Sequence, residues 1–276
     1  MSDHLGPWTE NTARGMVQDR AWTALWRSRD LIWYFAVRDV KLRYRQAVLG
    51  AIWVLAQPIA SVVVFTLVFS RLAGVSSQGV PYPVFALVGM VSWTYFSTSV
   101  TAGGQVLVAN ASLVSKVYFP RMAAPAAALL SPGVDLAVSL VLVEVATVVY
   151  GVGPTWRLLA APLWLVLMVV TALGAALWLS ALNVRYRDVQ HAVGPVLQVL
   201  LFASPVAYAA TALSGWQAQL YAVNPMVGVI ALGRWSFLGT PWPGWQLLVS
   251  VVSAGVLLVS GVAYFNRAQR SFADVI

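Results

Sequence analysis

Catalysis and metal binding need particular side chains brought together, and this chain supplies few of them. Its 276 residues include no cysteine and two histidines, His4 and His191, far apart in sequence. That leaves no thiol nucleophile, no disulfide framework and no thiolate metal site, and gives no basis for a histidine one. Asp135 and Glu144 are the only acids within apolar runs of spanning length. Nine residues separate them, about 900° of helix rotation, so an ideal helix turns them to opposite sides. They cannot act as a carboxylate pair. Helix–helix hydrogen bonding suits both, and Asp135, the deeper of the two, is also a candidate to line a pathway. The two lysines, Lys41 and Lys116, follow Val40 and Ser115. Neither can close a Gly-x-x-x-x-Gly-Lys-Ser/Thr loop, so any ATP must be handled by another chain.

An enzyme acting on polyprenyl-linked sugars would need clustered acids, often with a divalent metal. The polar segments beside the apolar runs offer Asp39 and Asp188, each among arginines. What remains is basic and aromatic. In "RDVKLRYRQAVLGAIWVLAQP", residues 38–58, a charged stretch runs straight into an uncharged one. On a helix through 33–47, Trp33, Ala36, Val37, Val40, Tyr44 and Ala47 share one sector. Arg38, Lys41 and Arg45 lie opposite, flanked by Asp39, Arg43 and Gln46. This pattern predicts an amphipathic interfacial helix with a basic face. Leu31, Phe35 and Leu42 do not fit the stripe and give the charged side an apolar patch suited to a partner. The helix is either a lipid anchor or a lever joining the cytoplasm to the first span, with Gly50 at the bend.

The elements that carry these residues are membrane spans. The composition is 60% hydrophobic and 9% charged, against about 25% charged in an average soluble domain. Six runs approach the roughly 20 apolar residues that cross a bilayer: 47–70, 84–109, 124–150, 158–182, 192–211 and 244–265. The expected fold is therefore an all-α integral membrane protein with six transmembrane helices and an N-terminal amphipathic helix. Residues 1–29 read as a cytoplasmic tail with no cleavable signal, 30–46 as the interface helix, 47–265 as the six-span domain and 266–276 as a C-terminal tail. Fourteen of the 17 basic residues fall on one side of this topology, which puts both termini in the cytoplasm. The net charge of +8 is thus a topology signal and gives no support to nucleic-acid binding. Between spans five and six, residues 212–243 are apolar but broken at Asn224-Pro225. Two short re-entrant helices fit them, and a surface hairpin is the alternative.

Two further polar segments mix aromatics with arginine: "NASLVSKVYFPRMAAP", 110–125, and "NVRYRDVQHAVGP", 183–195. Val117, Tyr118, Phe119 and Pro120 make an apolar tip between Lys116 and Arg121, of the kind that plugs a partner's groove. Thirteen tryptophans are many for 276 residues. Flat rings accept sugar faces without gripping one sequence, although Trp and Tyr also gather at membrane interfaces. Pathway candidates are Trp53, Trp93, Tyr95, Phe96, Trp178 and Tyr208, with Trp216, Tyr221, Trp235 and Phe237 near the exit.

These segments resemble the ABC-2 type exporter permeases for polysaccharides, O-antigens and teichoic acids. The resemblance rests on Arg38-Asp39, Lys41-Leu42-Arg43-Tyr44, Leu49-Gly50, Trp53 and Gln57-Pro58. It continues through "SKVYFPR" (115–121), Asp135, "LNVRYRDV" (182–189), and "NPM" (224–226) with a later Arg234. It covers about residues 25–276. It implies a homodimer in the bacterial plasma (inner) membrane, paired with two ATP-binding cassette subunits that bind ATP and magnesium. No cofactor belongs to this chain, and no nucleic acid is a partner. The ATPase contacts would be Arg38, Asp39, Lys41, Arg43, Arg45, Lys116, Tyr118, Phe119, Pro120 and Arg121, with Arg185, Arg187 and Asp188 as a second contact. The substrate pathway would add Gln57 and Asp135 to the aromatic residues, and the substrate would be a lipid-linked glycan. An ABC-2 exporter of small hydrophobic molecules is the alternative, and a polyprenyl-sugar membrane enzyme the more distant one.

Overall fold

A computed structural model describes residues 29–44, 50–111, 120–186, 188–210, 215–269 and 272. Every regular element among them is a helix. In chain order these are α1 (Arg29–Tyr44), α2 (Gly50–Phe65), α3 (Tyr82–Ala109), α4 (Ala123–Ala128), α5 (Leu130–Val149), α6 (Ala161–Arg185), α7 (Val189–Phe202), α8 (Gly215–Ala222), α9 (Pro225–Leu238) and α10 (Trp245–Ala268). A π-helical turn, Thr66–Leu72, continues α2, and a 3-10 turn, Trp156–Ala160, leads into α6. The expectations placed on Arg45, Lys116, Tyr118, Phe119, Arg187 and residues 1–28 lie outside the described residues. So do the side chains of Arg43 and Trp53. The expected C-terminal tail is helical as far as Ala268, where α10 ends.

Five helical stretches are long and apolar enough to cross a membrane: Val54–Leu72, Tyr82–Ala109, Ala123–Val149, Trp156–Arg185 and Trp245–Ala268. The sixth expected span, 192–211, is a helix of 14 residues, Val189–Phe202, about 21 Å long at 1.5 Å per residue. Pro205 lacks an N–H and disfavours helix in the residue before it, so the chain turns at 203–206. The chain nevertheless passes through the bundle here. It leaves α6 at Arg185, and by Ala207 it accepts a hydrogen bond from Tyr82 at the start of α3. One end of the bundle holds Arg38, Lys41, Arg121, Arg185 and Arg267 and is called the basic end below. The opposite end holds the two short helices.

Proline and glycine punctuate the helices. α3 and α6 each carry proline in the first turn, where a missing N–H costs nothing. α4 and α5 follow one another with a break at Leu129, because Pro132 removes the N–H that Ala128 O would accept. The Asn224 side chain caps α9 by accepting from Met226 N at 3.0 Å, and Pro225 follows as its first residue. Gly239, at φ +68°, ends α9 in a left-handed turn.

α3 is the hub, packed by α2, α4, α5, α6, α7 and α9. It meets α6 through Gly103 and Gly104, where an added Cβ would lie 2.7 Å from Ala176 Cβ and 2.4 Å from Leu179. α6 meets α10 through Gly174 and Gly261 in the same way. In lipid no hydrophobic force pushes helices together, so close backbone approach over small residues supplies the packing. α9 is buried along nearly its whole length against α3, α6 and α10, which is a bundle position and not that of a surface hairpin. Its start is held low. Ser250, five residues into α10, donates to Ala222 O at 3.2 Å and accepts from Gly228 N at 3.0 Å.

Candidate functional site

Two regions hold the residues singled out by the sequence, one at each end of the bundle. At the basic end, α1 is built into the protein. Phe35 and Ala36 are buried, in a core shared with Leu107, Met122, Ala124, Ala127, Leu177, Ala181, Val184, Phe265 and Phe272. Phe35, expected as an exposed patch, faces inward instead. Trp33, expected on the apolar sector, is 68% exposed. Phe35 joins Ala36 on the protein-facing side, so the inner face of the helix draws on both of its expected sectors.

The charged residues of α1 divide. Arg38 donates twice to Asp39, at 3.0 and 2.9 Å, and once to Asn110 Oδ1 at 3.2 Å. Its guanidinium also lies 5.2 Å from the centre of the Phe35 ring. Asn110 caps α3 by donating to Val106 O, so the fork ties α1 to the end of the hub helix. Lys41 is exposed. Arg121 donates to Gln269 O at 2.7 Å and lies over Phe272, placing a cation at the C-terminal end of α10, where the helix dipole favours it. Pro120 stands half-buried just before it. Arg185 lies over Tyr186, and Asp188 precedes α7, both exposed. Four helix ends thus meet in one block, with Lys41, Arg185 and Asp188 left facing solvent.

At the other end, the broken segment 203–208 is held by side chains from three other elements. Arg234 of α9, 3% exposed, donates from Nε to Phe85 O at 3.1 Å, from Nη1 to Tyr208 O at 3.0 Å and from Nη2 to Val206 O at 2.7 Å. Its guanidinium sits 3.4 Å from the Phe85 ring centre. Tyr82 donates to Ala207 O at 2.6 Å, and Asn224 to Ala203 O at 3.0 Å. Tyr221 donates to the Tyr208 hydroxyl at 2.7 Å, which donates to Phe202 O at 2.7 Å. Irregular backbone at membrane depth must have its carbonyls met, and this turn meets them with side chains.

The aromatic candidates separate by burial. Trp93, Tyr95 and Phe96 lie inside the bundle, Trp93 packed on Phe96 at 5.4 Å. Phe237 is buried on Trp164. Trp178 stacks on Tyr264 at 4.3 Å and bonds Ser260, joining α6 to α10. Trp235 sits between Trp156 and Trp242 with Arg157 at 5.6 Å. Gln57 and Trp216 are exposed, and Asp135 is half-buried on α5. Asn110, Tyr82, Asn224 and Ser250 were not legible as anchors. Arg234 carried a signal, an ionisable residue within the apolar run "VGVIALGRWSFL", which marks a buried partner set.

The sequence pattern of the ABC-2 type transporter matches residues 30–238. The chain belongs to the ABC-2 type transporter family. It is 30% identical over 256 residues to the O-antigen export system permease protein RfbA of Myxococcus xanthus, covering 91% of this chain and 97% of that one. It is 24% identical over 251 residues to the protein of the same name from Klebsiella pneumoniae, covering 90% and 95%. The ABC-2 match begins in α1 and ends in α9, so it takes in the whole Arg234 clamp and, at the basic end, the parts contributed by α1, α3, α4 and α6. The all-helical architecture with five candidate spans is that of a multi-pass membrane protein.

Proposed function

We propose that this chain is the membrane subunit of an ATP-driven exporter that carries a lipid-linked polysaccharide outward across the plasma membrane. Two copies pair with each other and with two separate ATP-binding subunits, which bind ATP and magnesium. Both termini lie in the cytoplasm with the partner ATPases. The observation that carries this reading is the end-to-end similarity to O-antigen export permeases, over nine tenths of the chain.

The geometry supports a mechanical role for the basic end. α1 shares a core with the ends of α3, α6 and α10, so a push on Lys41 or on Arg121 moves a packed block. Among the described side chains, α2 and α7 carry few that are buried, Pro58 and Val62 on one and Val193 on the other. They are the helices that swing at least cost in packing. The π-helical turn at Thr66–Leu72 gives α2 a point of altered winding. Closure of the ATPases tilts α1, shifts α2 and opens a path between the two copies, with Gln57 and Trp216 on its walls.

The test is a gentle-detergent purification of the tagged chain with mass spectrometry of what accompanies it. A P-loop ATPase near one-to-one stoichiometry, and loss of surface polysaccharide on deletion of the chain, are the expected results. An ATPase partner with an unchanged surface glycan would overturn the substrate. Purification without any ATPase would overturn the exporter.

A further inference from the structure

Beside Arg234 the fold leaves a solvent-open cavity of about 70 Å3, room for about five waters at one probe sphere each. Gln78, Ala231, Arg234, Thr240, Trp242 and Gln246 line it, and no acid does. Its wall therefore offers one cation, two amides, a hydroxyl and an indole. Trp242 is 55% exposed, with its ring T-shaped on Trp235 at 4.8 Å.

Arg234 is not used up by the turn it clamps. A guanidinium carries five N–H groups, and three donate to the carbonyls of Phe85, Val206 and Tyr208. Two remain. All three acceptors are neutral, and Arg234 forms no ion pair with a described carboxylate. A buried charge held only by dipoles gains most from an anion. Arg157 adds a second positive charge next to the cavity wall, donating to Gly239 O at 2.6 Å and Thr240 O at 3.2 Å. Gln78 is the one described non-glycine residue with positive φ, at 59°, a conformation unfavourable for any residue with a Cβ.

We propose that this cavity is an oxyanion subsite that takes one phosphate or carboxylate group between Arg234, Gln78 and Gln246, with Trp242 against the body of the molecule that carries it. The volume admits one such group. Two sources present this chemistry at a membrane surface: an anionic lipid headgroup and an acidic sugar unit. The site does not depend on polysaccharide export, since a lipid phosphate fills it equally.

The full-length protein in maltoside detergent, free of phosphate, is titrated at constant ionic strength with sodium phosphate, glucuronate or glucose. Tryptophan fluorescence reports binding, assigned with Trp242→Phe. Saturable changes with phosphate and glucuronate, none with glucose, are expected. Ala231→Leu fills the cavity without removing an Arg234 bond, and Gln246→Leu removes a polar wall. Each is expected to weaken binding by about tenfold or more while the protein keeps its melting temperature. Displacement of glucuronate by phosphatidylglycerol, and not by diacylglycerol, assigns a lipid source, and no displacement assigns an acidic sugar. No saturable response, an equal response to glucose, or unchanged binding in both folded variants would overturn the proposal.

Discussion

Arg38 Nη2 lies 3.2 Å from Asn110 Oδ1, joining residues 72 positions apart, while the same guanidinium holds Asp39 at 2.9 Å. This fork fastens the interfacial helix to the end of the most buried of the candidate spans. Arg38→Ala and Asn110→Ala are each expected to lower stability by about 1 kcal/mol, the value of a partly exposed charge-assisted bond. Together they are expected to cost less than their sum, because both remove the same contact. Thermal unfolding in detergent reads the cycle. Full additivity would show that the fork carries no coupling.

Arg234 is the firmer prediction. Its replacement by Gln or Ala leaves up to three buried carbonyls without donors, at roughly 1–3 kcal/mol for each. Lysine keeps the charge and loses the planar fork, so Arg234→Lys is expected to rescue little. Expression level and melting temperature decide it. A lysine variant of wild-type stability would mean that charge alone, and not the three-way geometry, holds the turn at 203–208.

The Tyr221–Tyr208–Phe202 chain makes an asymmetric pair. Tyr221→Phe removes one hydrogen bond and leaves Tyr208 donating to Phe202 O. Tyr208→Phe removes two and strands the half-buried Tyr221 hydroxyl. The expected losses are about 0.5–1 kcal/mol for Tyr221→Phe and about 1–3 kcal/mol for Tyr208→Phe. Equal losses would show that water replaces the missing acceptor.

Apolar runs and proline positions made the helices legible, since a span is a local property of some 20 residues. The same signals located the break at Asn224-Pro225. The facing of α1 was not legible. A helical wheel sorts Phe35 and Trp33 by the company on their own helix, whereas the contacts of Phe35 with the Leu107, Met122 and Phe265 core come from residues 70 and more positions away. Burial of Trp93, Tyr95 and Phe96 was hidden for another reason, because aromatic residues gather at membrane interfaces as readily as in a packed core. Arg234 counted toward charge asymmetry, and its carbonyl partners are backbone atoms that no side-chain pattern reveals.

Gly174 marks where two spans touch. A Cβ there would lie 2.8 Å from Leu258 N and 2.9 Å from Leu257 C, both backbone atoms. Neither can turn aside, so Gly174→Ala must push α6 and α10 apart. About 1–3 kcal/mol of destabilisation is expected. Gly194→Ala on α7 meets nothing within 4 Å and is expected to be neutral or slightly stabilising, since alanine is the better helix former. Melting temperatures of the two variants separate contact from propensity, and equal effects would remove the close-packing argument.

The moving parts leave a chemical handle, because the chain has no native cysteine. Val63 on α2 and Val199 on α7 are 53% and 68% exposed, on helices with little packing of their own. If the path opens between two copies, these faces lie at the seam. Val63→Cys or Val199→Cys is expected to yield a dimer-sized band on mild oxidation, and the cross-link at Val63 to stop export until reduced. Val141→Cys, equally exposed at 64% but on the anchored α5, is expected to stay monomeric. Cross-linking at Val141 alone would move the seam to the opposite face. Export that continues through a Val63 cross-link would show that α2 does not move during transport, and the lever at the basic end would have nothing to drive.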